Sequence, residues 1–291
     1  MIQEHSEEPL NIGEMVLHHT ADAWTIDLEP ITTIHLPRFA DLPFSIAGQP
    51  VNLSPTKHVV FMILAALLVF LTMWIGGRSI DRSRRAGKAP KGFGNAVEAM
   101  VLYVRNEIAI ANIGHDGAKF APFILTLFFF VLYANLLGLL PWGSSATGNL
   151  AVTAALAIMV FLTVEIGGMI KLGAKGYMHT LFPQLPGLGG VGGMAMSVAM
   201  FPIEVLGKLV KPFALAVRLF GNMTAGHFVI LSLFGIIFLF GQLFVWNVGI
   251  GLVTAALVTG IMMLELIVAL LQAYVFALLS AVFIGLMQHE H

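Results

Sequence analysis

Arg218 opens a stretch, Leu219 to Leu264, that contains no Asp, Glu, Lys or Arg. A guanidinium keeps its proton at every physiological pH, so it can act only as a fixed positive charge. With Glu204 as the origin of a helix, the 100° step puts Lys208 near about 40°, Lys211 near about 340°, Arg218 near about 320° and Asn222 at about 0°. These groups therefore share one face. His227 falls near about 140°, diametrically opposite Arg218. A second apolar segment carries Glu265 and Gln272, about 20° apart on the wheel. If residues 200 to 245 and 252 to 289 form an antiparallel hairpin turning near 248, His227 and Glu265 face one another. Two readings of that pair are open. It is a proton relay, because a carboxylate and an imidazole shift each other's titration toward working pH, or it is a buried pair that only locks two helices.

The elements that position these groups follow from the solvent. Of 291 residues, 58% are hydrophobic and 11% charged, mean hydropathy is +0.89, and several uncharged runs approach or exceed the roughly 20 residues that cross a bilayer. The expected fold is an all-α polytopic membrane protein, one membrane domain over 58–291. It comprises a first span at 58–77, a loop at 78–92, an interfacial amphipathic helix at 93–115, spans at 119–140 and 149–171, a loop at 172–196 containing a Gly-rich flexible connection, and a long tilted hairpin at 197–289, broken near 246–251. RSIDRSRRAGKAPK sets six basic residues against Asp81, so that loop is expected on the cytoplasmic side. Residues 1–57 are then an extracytoplasmic arm, too polar and too rich in Pro and His for a cleavable signal peptide, and the C-terminus is cytoplasmic. Cysteine is absent, which excludes disulfides and thiolate chemistry. A net charge of -1 favours no nucleic-acid partner.

A charge at mid-bilayer depth costs about 3 kcal/mol on insertion scales, and something must offset it at Arg218. Internal carbonyls are one answer. A counter-charge on another helix is the other, because Ala214, Gly221 and Ala225 allow close approach. Lys208 and Lys211 can snorkel to headgroups, with Glu204 as their salt-bridge partner. Glu165, near the inner end of its span, is either a structural contact or a functional group. His5, His18, His19 and His35 lack metal-ligand spacing and fit a solvated arm. No nucleotide-hydrolysing motif is present, and no internal repeat supports a secondary transporter with an internal substrate site, which remains the alternative.

RLFGNMTAGH with the upstream IEVLGKLVKP, then LQAYVFALLS, and TLFFFVLYANLLGLLP at 126–141 resemble subunit a of the F-type ATP synthases over roughly residues 95–289. The resemblance implies a stator subunit with two proton half-channels, packed by its tilted hairpin against a rotating ring of c subunits that each carry a membrane-embedded carboxylate. It implies further partners in the peripheral-stalk b subunits, the rest of the synthase and membrane lipid, no cofactor or metal, and a bacterial inner membrane. By the same resemblance Arg218 meets the ring carboxylate and blocks direct proton passage between the half-channels. His227 and Glu265 stand at the inlet positions, with the two residue types exchanged relative to some members. Gln272, Asn222 and Asn135 match polar residues of the path, Glu204 the acidic position near the outlet and Lys211 a basic one. Some members carry an acid where this chain has Gly138.

Overall fold

The computed structural model describes residues 22–28, 32–39, 45–46, 49–50, 54–87, 91–140, 143–182, 191–240 and 247–289. His5, His18, His19 and the C-terminal residues 290–291 lie outside them, as do 241–246 and most of the Gly-rich connection. Two short antiparallel pairs come first: β1 (Thr25–Leu28) with β2 (Thr32–His35), in the register Thr25 opposite His35, and β3 (Ser45–Ile46) with β4 (Gln49–Pro50). Helices follow: α1 (Lys57–Arg85), α2 (Phe93–Tyr103, continued by π turns over Val104–Ile110 and by Ala111–Ile113), α3 (Gly117–Gly138), α4 (Leu150–Leu181), α5 (Val191–Phe240) and α6 (Asn247–His289). Five segments are long and apolar enough to cross a bilayer, namely Lys57–Ser83, Gly117–Gly138, Leu150–Leu181, Gly192–Leu233 and Gly251–Met287.

Several helices run past the boundaries read from hydropathy. α1 continues through the basic segment to Arg85, because Arg and Lys are good helix formers and Asp81 sits one turn before Arg85, which it pairs at 2.8 Å. α4 continues beyond 171, but Gly173 has φ 70° and breaks it into two helical pieces. Only glycine adopts that backbone readily. The segment 174–181, expected as loop, is therefore a further helical piece, and α5 takes up again at Val191 within the expected Gly-rich connection. α6 begins at Asn247, so the expected break at 246–251 is helical from 247 onward. A polar or Gly-rich composition marks where a helix leaves hydrocarbon, which is not where its backbone hydrogen bonding stops.

α2 turns Val97, Val104, Ile108, Ala109 and Ile113 inward and leaves Arg105, Asn106 and Glu107 exposed. Phe93, Leu102 and Tyr103 are exposed as well, so the helix has one packed side and one open side. It ends at Gly114 with φ 82°.

The chain divides into two compact units. The first gathers the segment up to Leu64, Ala134–Asn149 and Gly221–Leu270. Asn135, Thr147 and Ala269 are buried at its heart. The second gathers Ala65–Tyr133, Leu150–Phe220 and Leu271–His291, with Ile124, Phe129, Val160, Leu219, Phe276 and Ile284 buried together. Within this second unit the Thr72 and Tyr133 hydroxyls share a 2.7 Å hydrogen bond. Asp116, just before α3, is held by Lys119 at 2.8 Å and Lys171 at 3.3 Å. Gly285 lies so close to the carbonyl of Asn112 that any side chain there would collide with α2.

Candidate functional site

In the first unit, a cavity of about 210 Å³ is lined by His58, Gly138, Ser144, Ser145, Thr224, His227, Met262 and Glu265, among others. The expected pair thus lines one cavity, with no direct hydrogen bond joining the two side chains. Glu265 Oε1 and Thr224 Oγ1 are both buried without a hydrogen-bond partner. A buried carboxylate oxygen left so is costly unless water or a mobile proton satisfies it, and the space exceeds what one water needs. Gly226 explains how the carboxylate reaches this depth, because a Cβ at that position would overlap Glu265. Replacing Gly226 with alanine is expected to displace the Glu265 carboxylate and, on the proton-relay reading of the sequence, to slow proton flux. Initial vesicle acidification measures this, and an unchanged rate would count against Glu265.

His58 was not anticipated. It sits at the start of α1, buried, and its Nδ1 lies 2.7 Å from Asp22 Oδ1. Asp22 also accepts from the His58 backbone N–H at 3.5 Å, and the Ala23 carbonyl accepts from the Lys57 N–H at 2.9 Å. The arm thereby satisfies donors at the first turn of α1 and puts a negative charge at its N-terminus. Partial burial pushes the Asp22 carboxyl up, but its hydrogen bond to His58 and the charge of His58 outweigh that and hold it below the usual carboxylate range. Being depressed on folding, Asp22 stabilises the tether above its unfolded pKa, and this contribution fades as pH falls through its folded value. Spacing alone could not find the pair, because 36 residues separate its members.

Asn135 braces the same unit. It is fully buried, donates from Nδ2 to the Ala269 carbonyl at 3.4 Å and accepts from Thr147 Oγ1 at 2.6 Å, and Thr147 in turn bonds Ser145 at 2.7 Å. The amide thus ties the end of α3 to α6 and to the turn that follows α3.

A second cluster lies in the second unit. Lys208 Nζ is 3.6 Å from Glu165 Oε2 and donates to Thr180 Oγ1 at 3.1 Å, while the Tyr177 hydroxyl donates to the same Glu165 oxygen. Lys208 also sits 4.6 Å above the Tyr177 ring. Glu165, Glu204, Lys208 and Lys211 line one small cavity of about 40 Å³ with Pro212 and Phe283. The partner of Lys208 is therefore Glu165 on α4, and not Glu204 as expected from the wheel. A carboxylate on a neighbouring helix can meet the ammonium without bending along its own helix. This also gives Glu165 the contact that its position left open.

Arg218, Lys211 and Asn222 are exposed on α5. Among the described residues Arg218 takes part in no ion pair. The surrounding α5 surface is apolar and equally bare, with Leu209, Val210, Phe213 and Val217 exposed. Gln272 is buried on α6.

Fold and site together define a polytopic membrane protein that holds ionisable groups inside apolar helices, an arrangement that marks ion or proton pathways. A family model described as ATP synthase A chain matches residues 56–285. ATP synthase subunit a 2 of Chlorobaculum tepidum is 43% identical over 94% of this chain and 72% of its own length. Subunit a of Chloroherpeton thalassium is 41% identical over 98% and 79%, and that of Myxococcus xanthus 46% over 82% and 76%. The chain belongs to the ATP synthase A chain family.

Proposed function

We propose that the chain is the stator subunit a of an F-type ATP synthase and couples proton flow to rotation of a c-ring through Arg218. The observation that carries the detail is a permanent cation exposed on a bare apolar helix, with no acid paired to it among the described residues. In hydrocarbon that arrangement is unfavourable. A carboxylate on another chain offsets it, and one that comes and goes makes the cation a switch. At about 4 Å and an effective dielectric near 20 the attraction is about 4 kcal/mol before desolvation. That favours the ionised carboxylate without trapping it.

The inlet half-channel is the cavity that holds His227 and Glu265, with Asn135 bracing its wall. The outlet runs by Glu204 and the Glu165–Lys208 cluster, and Asn222 and Gln272 serve as further polar residues of the proton path. Further partners are the peripheral-stalk b subunits and the rest of the synthase, in a bacterial inner membrane. The basic segment 78–91 puts the end of α1 inside the cell, so the arm lies outside and the C-terminus inside.

A cysteine-free chain makes the test direct. Cysteine introduced at Val217, one residue from Arg218 on the exposed surface, and a second cysteine placed beside the carboxylate of the small ring subunit are expected to form a disulfide when a mild oxidant is added. Cysteine at position 290 should react with an impermeant maleimide only from the cytoplasmic side. A transporter with an internal substrate site predicts no ring cross-link, and that result would overturn the assignment.

A further inference from the structure

We propose that His58, held by Asp22 of the N-terminal arm, is an outer proton-transfer residue that feeds the cavity containing His227 and Glu265. The proposal rests on the proton-conducting reading above and adds to it a residue on α1 and a role for the arm.

Three observations carry it. His58 lines the same cavity as Thr224, His227 and Glu265. One ring nitrogen is committed: Nδ1 lies 2.7 Å from Asp22 Oδ1, so it bears the proton and leaves Nε2 as the exchanging atom. The cavity, finally, has room for water and groups to hold it, since two of its buried polar atoms, Glu265 Oε1 and Thr224 Oγ1, find no protein partner.

The titratable groups around His58 come from each packed element: Asp22 from the arm, Lys57 beside it on α1, His227 from α5 and Glu265 from α6. Lys57 and His58 both lie within electrostatic reach of His227. The half-exposed Asp22 carboxylate offsets a positive charge on His58 that those neighbours oppose. The transfer makes and breaks only N–H and O–H bonds. Nε2 takes a proton from incoming water to give the imidazolium, then returns it from the same nitrogen to water inside the cavity. Nδ1–H stays on Asp22 throughout. An imidazole suits this step because its two nitrogens are distinct, so one can stay on Asp22 while the other exchanges protons with water.

The experiment uses the whole synthase in inverted membrane vesicles and records the initial rate of ATP-driven acidification against pH. His58→Gln keeps an amide donor for Asp22 but cannot titrate. It is expected to lower the rate about tenfold, less than the hundredfold or more of an indispensable acid–base group, because water offers a partial bypass. Its pH profile should lose the dependence that an imidazole imposes. In His58→Ala, added free imidazole should restore part of the rate. A His58→Gln enzyme with wild-type rate and profile would overturn the proposal. So would a loss in both variants that leaves the profile shape unchanged and that imidazole does not relieve, which is the signature of a residue that only holds the arm. Where His58→Ala fails to assemble, the His58→Gln profile alone decides. Arg218→Ala in the same vesicles separates the two levels. If it still pumps, the arginine-based reading falls; if it is dead while His58→Gln is normal, only the present proposal falls.

Discussion

Replacing Arg218 with alanine is expected to abolish ATP-driven proton pumping and ATP synthesis while leaving the subunit in the membrane. The side chain is exposed and makes no ion pair among the described residues, so its removal opens no cavity and strands no charge within this chain. On the proposed reading, what disappears is the fixed cation that favours ionisation of a ring carboxylate. An attraction of about 4 kcal/mol corresponds to about a thousandfold in the proton-release equilibrium, enough to stall a rotor whose every step requires that release. Lysine should restore only part of the activity. An ammonium lacks the planar fork and loses its proton more readily in an apolar site. Acidification of inverted vesicles measures all three proteins, and near-normal pumping by the alanine variant would remove Arg218 from the mechanism.

The second large effect is expected at His227 and Glu265. His227→Ala and Glu265→Ala should each slow proton inlet by about a hundredfold, the scale of losing a positioned acid–base group. Both side chains line one cavity, so the effects should not add. Contacting residues in a double-mutant cycle show coupling of about 0.5–3 kcal/mol, whereas distant, independent positions add. The exchange of His227→Glu with Glu265→His is the sharper comparison. It keeps both chemical groups in the same cavity, and it should retain more flux than either alanine protein. One geometric limit applies: the carboxylate at 265 reaches its place because Gly226 has no side chain, and an imidazole on α6 must use that same gap. Additive losses in initial flux, with the exchange as poor as the alanines, would make the pair structural and move the inlet elsewhere.

The parts of the molecule governed by hydropathy were legible from the chain, and those governed by contact were not. Uncharged runs located five membrane-length helices because the cost of burying a charge is paid residue by residue. Arg218 stood out for the same reason, as the last charged residue before a long uncharged run, while its exposure on α5 is a property of the folded chain. The helix ends were less accessible. Residues 78–85 and 174–181 are polar yet helical, since leaving hydrocarbon does not end a helix. The wheel assigned Lys208 to Glu204 because it sees only one helix, and the 3.6 Å partner is Glu165, on another. Asp22 with His58, and Gly226 with Glu265, are likewise contacts between distant segments. A lone histidine beside a lysine at the start of a span carries no periodic signal, and a glycine in a helix announces neither what fills the space it leaves nor why.

Gly138, where α3 ends against the cavity, sets the order in which such a site can change. A Cβ at Gly138 would run into Ser145, and Ser145 is itself held by Thr147, whose hydroxyl binds Asn135. A carboxylate cannot therefore be introduced at position 138 as a single step without dislodging that chain of hydroxyls and the amide beyond it. Position 145 has to shrink first, and the loss of its hydroxyl must be tolerated before any acid confers an advantage. The two positions constrain each other sterically: what stands at 145 decides whether 138 can carry a side chain.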